Sequence, residues 1–70
     1  MKHFNQHVFD KAPAWARYAT RNAWGHLSVW ADEPKPSVCG LYFESSGLHR
    51  RLSSGFELNR PKVLERLHHV

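Results

Sequence analysis

Six histidines, one cysteine and a run of tryptophans interleaved with arginine are the residues of this chain that could do chemistry. His3 and His7 stand four apart, a spacing that sets two imidazoles on one helix face. Cys39 or the His68-His69 pair could complete a zinc-type site with them. The surrounding pattern has no CxxC and no HExxH, and adjacent histidines point apart on a helix, so the expectation is histidines without metal. Cys39 as a nucleophile would need a histidine and an orienting carboxylate beside it. It lies inside VCGLYF, the most apolar run of the chain, which favours an inert buried thiol. Ser45-Ser46 and Ser53-Ser54 stand in turn contexts, where serine bonds its own backbone. SSG lacks the spacing and the lysine of a P-loop. These residues imply a chain with no catalytic residues, no metal and no cofactor.

The stretch PAWARYATRNAWGHLSVWADEPKP holds all three tryptophans together with Arg17 and Arg21. A sheet face carrying Tyr18 and Trp30, rimmed by Arg21, Arg50 and Arg51, could stack unpaired bases at roughly 1–3 kcal/mol each. The same rings are the largest hydrophobic stabilisation open to so short a chain. A hairpin has two faces and one terminal helix covers only one, so most rings are expected in the core with one aromatic patch left exposed. Exposed rings beside arginine are also the composition of a protein–protein hot spot, and an edge strand could add β-augmentation. The expected contact residues are Arg21, Trp24, Trp30, Arg50 and Arg51. Trp24 is the sharpest of them, because an indole inside a tight turn has little local core to enter.

Charge weighs between the two partners. The net charge is +4 with neutral histidines, but it is spread out, and the longest positive run is Arg50-Arg51 extended by His49. A dedicated nucleic-acid arm would cluster more, since affinity rises with each phosphate neutralised. A protein partner is therefore favoured over nucleic acid.

The elements that must position these residues follow from pattern. Seventy residues leave room for one domain, residues 1–70, and make a deep enzymatic pocket improbable. Residues 1–12 read as a polar lead-in anchored by Phe4, Val8 and Phe9, extended or with one helical turn. AWARYATR and HLSVWA alternate with period two around the Gly-ended turn NAWG, which predicts a β-hairpin with Leu27, Val29 and Ala31 on one face and His26, Ser28 and Trp30 on the other. DEPKPS, with two prolines, predicts a loop. VCGLYF is the strongest single strand by composition. ESSG predicts a turn and LHRRL a fourth strand, so the meander spans residues 14–52. For residues 59–70, Asn59 as N-cap, Pro61 in the first turn and the stripe Val63, Leu64, Leu67, Val70 predict a helix docked on the sheet. The expected fold class is α+β: an antiparallel meander of three or four strands with one C-terminal helix packed on a face.

The middle of the chain resembles a group of small proteins of tailed bacteriophages and prophages. Their pattern is Pro, then Trp-Ala, a short strand, a Gly-type turn, an aromatic strand, a Glu-x-x-Pro-like break and a further aromatic strand. The matching residues are Pro13, Trp15-Ala16, Asn22 to Gly25, Val29-Trp30, Glu33-Pro34 and Leu41 to Phe43, within residues 12–45, about half the chain. The turn RNAWG departs from the plain acidic turn of that group, and nothing after Gly47 matches it. The resemblance implies an accessory protein that binds and inhibits a host bacterial protein, such as an enzyme, a transcription component or a defence complex. A single-stranded nucleic-acid-binding module and a small virion component are the alternatives. Lone Cys39, the lack of an apolar leader core and the lack of any run approaching 18 apolar residues carry the expectation of a cytoplasmic protein with no membrane partner.

Overall fold

Alternation forms the hairpin over a shorter span than AWARYATR suggests, since residues 14–17 lie outside the first strand. A computed structural model describes residues 3–67. In it β1, Tyr18–Arg21, pairs antiparallel with β2, Leu27–Trp30, with Ala19 opposite Val29 and Thr20 opposite Ser28. Asn22 builds the connecting turn. Its side-chain oxygen accepts from the backbone N–H groups of Trp24 (2.9 Å) and His26 (3.0 Å), and its carbonyl accepts from Gly25 N at 3.1 Å. Gly25 has φ +78°, and a Cβ there would run into the carbonyl oxygen of Phe56. Only glycine satisfies both the backbone angle and that close approach.

Four more strands follow among the described residues: β3 (Lys35–Pro36), β4 (Phe43–Glu44), β5 (His49–Ser53) and β6 (Lys62–Glu65). The main sheet has the order β5-β2-β1-β6, and β3 with β4 forms a separate two-stranded ribbon. Every pairing is antiparallel. Of LHRRL, His49 to Leu52 lie in a strand, while Leu48 precedes it. An irregularity between Leu27 and Ser28 shifts the register, so that Leu27 faces Ser53 while Ser28 faces Arg51.

Several expectations are overturned. Among the described residues no C-terminal helix forms: Lys62–Glu65 is a strand on the open edge of β1, with Leu64 opposite Ala19 and Val63 opposite Thr20. The α+β class therefore gives way to an antiparallel β architecture in which the described residues carry only one turn of 3-10 helix, Gln6–Phe9. His68, His69 and Val70, the end of the expected helix, lie outside the described residues. The physical reason is the short length of the helical stripe. A helix of that size gains little by itself, whereas the same residues as a strand satisfy the backbone groups of β1. The stripe is divided in consequence: Leu64 packs on the core while Val63 and Leu67 are exposed.

VCGLYF is the second correction. Residues 37–42 form the loop between β3 and β4, closed by Ser37 N to Tyr42 O at 2.9 Å and Gly40 N to Ser37 O at 3.0 Å. Gly40 takes φ +74°, which no extended strand allows. Val38 and Cys39 are exposed, so the thiol is not buried as its apolar neighbours suggest. DEPKPS, expected as a loop throughout, contributes Lys35–Pro36 to the ribbon.

The core lies on one face of the main sheet. Ala19, Leu27 and Val29 project there and meet Phe9, Ala16 and Phe56, with Phe4, Val8, Trp15, Leu52 and Leu64 packed around them. The N-terminal lead-in is therefore the lid of the core, held by the anchors Phe4, Val8 and Phe9. It is also clasped to β6: Gln6 Nε2 donates to Glu65 O at 2.8 Å, and Gln6 Oε1 accepts from Leu67 N at 3.1 Å. Arg66 completes the closure. Its backbone N–H donates to Arg17 O at 2.8 Å, and its Nη1 donates to Ala16 O at 3.1 Å and Pro13 O at 3.2 Å. The guanidinium lies 5.3 Å from the centre of the Phe9 ring.

Val29 is fully buried at the centre of this face. Val29→Ala is expected to lower unfolding free energy by about 2 kcal/mol through lost burial and a residual cavity. Val63→Ala, on the exposed face of β6, is expected to change it by less than about 1 kcal/mol. Urea denaturation of the two variants checks the difference, and far-UV circular dichroism should show no substantial helix.

Candidate binding cleft

The opposite face of the main sheet carries the candidate site. Register places Tyr18 and Thr20 of β1, Ser28 and Trp30 of β2, and His49 and Arg51 of β5 on this side. The floor is Trp30. Its indole stacks on the His49 ring with centroids 4.8 Å apart and an interplanar angle of 24°. Its Nε1–H donates to Thr20 Oγ1 at 2.9 Å, an interaction buried beneath the stack. A buried indole N–H without an acceptor would be destabilising, so Thr20 fixes the ring's orientation as well as its depth.

The wall is Trp24, lifted from the hairpin turn. It is 53% exposed and lies 6.4 Å from the Tyr42 ring at a tilt of 33°. Tyr42 is brought there by the β3–β4 ribbon, because Ala23 N donates to Leu41 O at 2.9 Å and ties the ribbon's loop to the turn. Between floor and wall is an open cleft of about 410 Å³, with Arg51, His26 and Phe43 also lining it. Leu41 and Val38 on the loop and Leu48 before β5 are exposed hydrophobics as well.

Of the five residues expected at the contact surface, the structure brings three together: Trp24, Trp30 and Arg51 all line this cleft. Arg21 and Arg50 point to the other side of the sheet. Arg50 is opposite Val29 and lies 5.9 Å from the centre of the Trp15 ring. Arg21 is opposite Leu27, only 7% exposed, and sits 5.7 Å from the centre of the Phe4 ring. Strand alternation carries the signal that separates Arg50 from Arg51, since neighbours on a strand face opposite ways. It equally aligns His49 with Arg51, which sequence reasoning did not use. Nothing in the sequence announces Tyr42, because its placement depends on how the ribbon folds back.

Among the described residues, aromatic faces, one guanidinium and a few hydroxyl and imidazole groups line the cleft, and no carboxylate does. Among the described residues no group of three or more His, Cys, Asp or Glu could hold a metal ion, and no helix is long and apolar enough to cross a membrane. His3 and His7 are both exposed, and His7 Nδ1 instead meets Asp10 Oδ2 at 3.3 Å.

Cys39 stands on the ribbon's loop, outside this lining. Its thiol lies 3.4 Å from the Ser37 hydroxyl, and that hydrogen bond, with a second from the backbone of Leu41, holds the thiol pKa below its ordinary value. Compared with known proteins, the chain matches no family model, no curated protein and no solved structure.

Two measurements follow from this geometry. Thr20→Val is expected to lose about 1–2 kcal/mol of stability by orphaning the Trp30 indole N–H, and indole N–H NMR should report the change. At pH values below the ordinary thiol range, native Cys39 is expected to alkylate with iodoacetamide faster than in urea, because a lowered pKa leaves more thiolate. Ser37→Ala should remove most of that advantage, and equal rates in the native and unfolded protein would contradict the geometry.

Proposed function

We propose that this protein is a non-enzymatic binding module that engages another protein through the aromatic cleft of Trp24, Trp30, Tyr42 and Arg51, and modulates it. One observation carries the reading. The Trp24–Tyr42 pair is held half-exposed on a hydrogen-bonded turn and loop, over a cleft whose floor is already stacked and saturated. An aromatic anchor held by its own backbone loses little entropy on binding, which is the property of a hot-spot residue. The exposed hydrophobics Leu41, Val38 and Leu48 extend the apolar surface beyond the cleft. Arg51 and the net charge of +4 favour a partner with acidic groups beside an apolar pocket.

The resemblance of residues 12–45 to small phage and prophage proteins supplies the context: the partner is a host bacterial protein and the effect is inhibition. A single-stranded nucleic-acid ligand stacked between Trp24 and Tyr42 is the alternative, favoured only by the open aromatic faces and Arg51. Salt distinguishes the two. Strand binding weakens log-linearly with salt as counterions are released, while an aromatic-anchored protein contact changes little.

The experiment is affinity capture from bacterial lysate, with and without nuclease, comparing the native chain with Trp24→Ala, Arg51→Ala and Arg50→Ala. Trp24→Ala is expected to weaken capture by at least about 2 kcal/mol and Arg51→Ala by about 1 kcal/mol, while Arg50→Ala, on the opposite face, leaves it unchanged. Retention of every partner by Trp24→Ala would overturn the assignment of the cleft. Loss of all capture after nuclease would transfer it to nucleic acid.

A further inference from the structure

A second concavity opens on the core side of the sheet, away from the aromatic cleft, and its chemistry is different. It has a volume of about 580 Å³ and lies where β1, β6, the lead-in and the segment before β6 meet. That volume falls in the range of small-molecule sites. Arg21, Arg60 and Lys62 line it, with His3 and the single carboxylate of Glu57, so the fixed charges leave a surplus of two positive charges. Glu57 is committed in part to Asn59, whose Nδ2 donates to Glu57 Oε1 at 3.2 Å.

Arg21 is the unusual member. It is more than nine-tenths buried, yet none of its nitrogens meets a carboxylate among the described residues, whose only ion pairs are His7–Asp10 and Lys35–Glu33. Its Nη2 donates to the carbonyl of Arg60 at 2.6 Å, while its Nε is buried with no acceptor. Arg66 is buried in the same manner with an orphan Nε, but it spends two further hydrogen bonds on Pro13 and Ala16. Arg21 has one. A buried guanidinium with donors to spare is destabilising unless an anion satisfies it. Arg60 and Lys62 stand on the same wall, and Lys62 is opposite Arg21 in the β1–β6 ladder.

We infer that this cavity is a binding site for a phosphate dianion, free or as the phosphoryl group of a small metabolite. The guanidinium of Arg21 is the fork that receives it, and Lys62 and Arg60 complete the charge. A dianion fits the surplus better than a single carboxylate, and a planar guanidinium offers parallel donors to two phosphate oxygens. Binding would add order where the lead-in meets β6, because Phe4, whose ring faces the Arg21 guanidinium, also lines the cavity.

The test is a titration of the whole chain with inorganic phosphate and, separately, with a nucleoside monophosphate, against sodium chloride of matched ionic strength. The readouts are the Arg21 Nε–H resonance by NMR and the thermal midpoint. Both are expected to shift with phosphate beyond the chloride control. A larger response to the monophosphate identifies a phosphorylated metabolite as the ligand, and an equal response identifies free phosphate. Lys62→Glu, at an exposed position that should not disturb folding, is expected to weaken phosphate binding about tenfold or more, while Lys35→Glu on the distant ribbon changes nothing. No response beyond chloride, an unchanged response in Lys62→Glu, or a response to an oligonucleotide without either small phosphate would each overturn the site.

Discussion

Strand β1 is hydrogen-bonded along both edges, to β2 beside it in the chain and to β6 near the other end. Without β6, the hairpin would present an open edge with backbone donors and acceptors beneath the core lid. Each such group left buried and unpaired is destabilising by about 1–3 kcal/mol. With β6 in place, β1 becomes an interior strand, and the lead-in gains a platform to close over. Gln6 and Arg66 then join lid, strand and edge by bonding backbone groups directly. Local sequence supplies the hairpin; the long-range pairing makes it a domain-like sheet. Both outer strands carry charge, Arg50 and Arg51 on β5 and Lys62 and Glu65 on β6, which opposes edge-to-edge association of copies.

The core this sheet supports is small and built from modest side chains, with Ala16, Ala19 and Val29 fully buried beside Phe9 and Phe56. Two arginines extend it. Arg21 and Arg66 bury their aliphatic stems and rest their guanidinium groups near the rings of Phe4 and Phe9. In a chain short of large aliphatics, a long cationic stem provides packing area that a bigger core would take from leucine, and the aromatic faces offset part of the charge burial. Arg66 makes two side-chain hydrogen bonds to carbonyl groups and Arg21, at the margin of a cavity, makes one, while each leaves its Nε without an acceptor.

The two faces of the sheet divide the work. One face is closed by the lead-in and holds the core. The other carries the aromatic cleft, to which the β3–β4 ribbon brings Tyr42 and Phe43. Trp30 illustrates why aromatic content alone does not identify a contact surface. It lines the cleft and is 6% exposed, fixed by Thr20 below and His49 alongside. Trp24, by contrast, has the Tyr42 ring beside it at a tilt of 33° and keeps half its surface open. Folding accounts for the first indole and leaves the second available.

Period-two alternation from Tyr18 to Trp30 determined the hairpin, and with it the separation of Leu27 and Val29 from Ser28 and Trp30, because strand geometry sends neighbouring side chains to opposite faces whatever the rest of the chain does. The exposure of Trp24 was legible for the same local reason: a turn that binds its own backbone through Asn22 offers an indole no core. The C-terminal segment was not legible. Leu64 reads equally well on a helical stripe or a strand face, and only the unpaired edge of β1 decided between them. Cys39 and the run around it were misread because apolar composition cannot reveal that Gly40 turns the backbone through the left-handed region. Tertiary structure alone set Arg21 apart from Arg51, placing one beneath the lead-in and the other in the cleft, since which face of a sheet is covered depends on where distant residues come to rest.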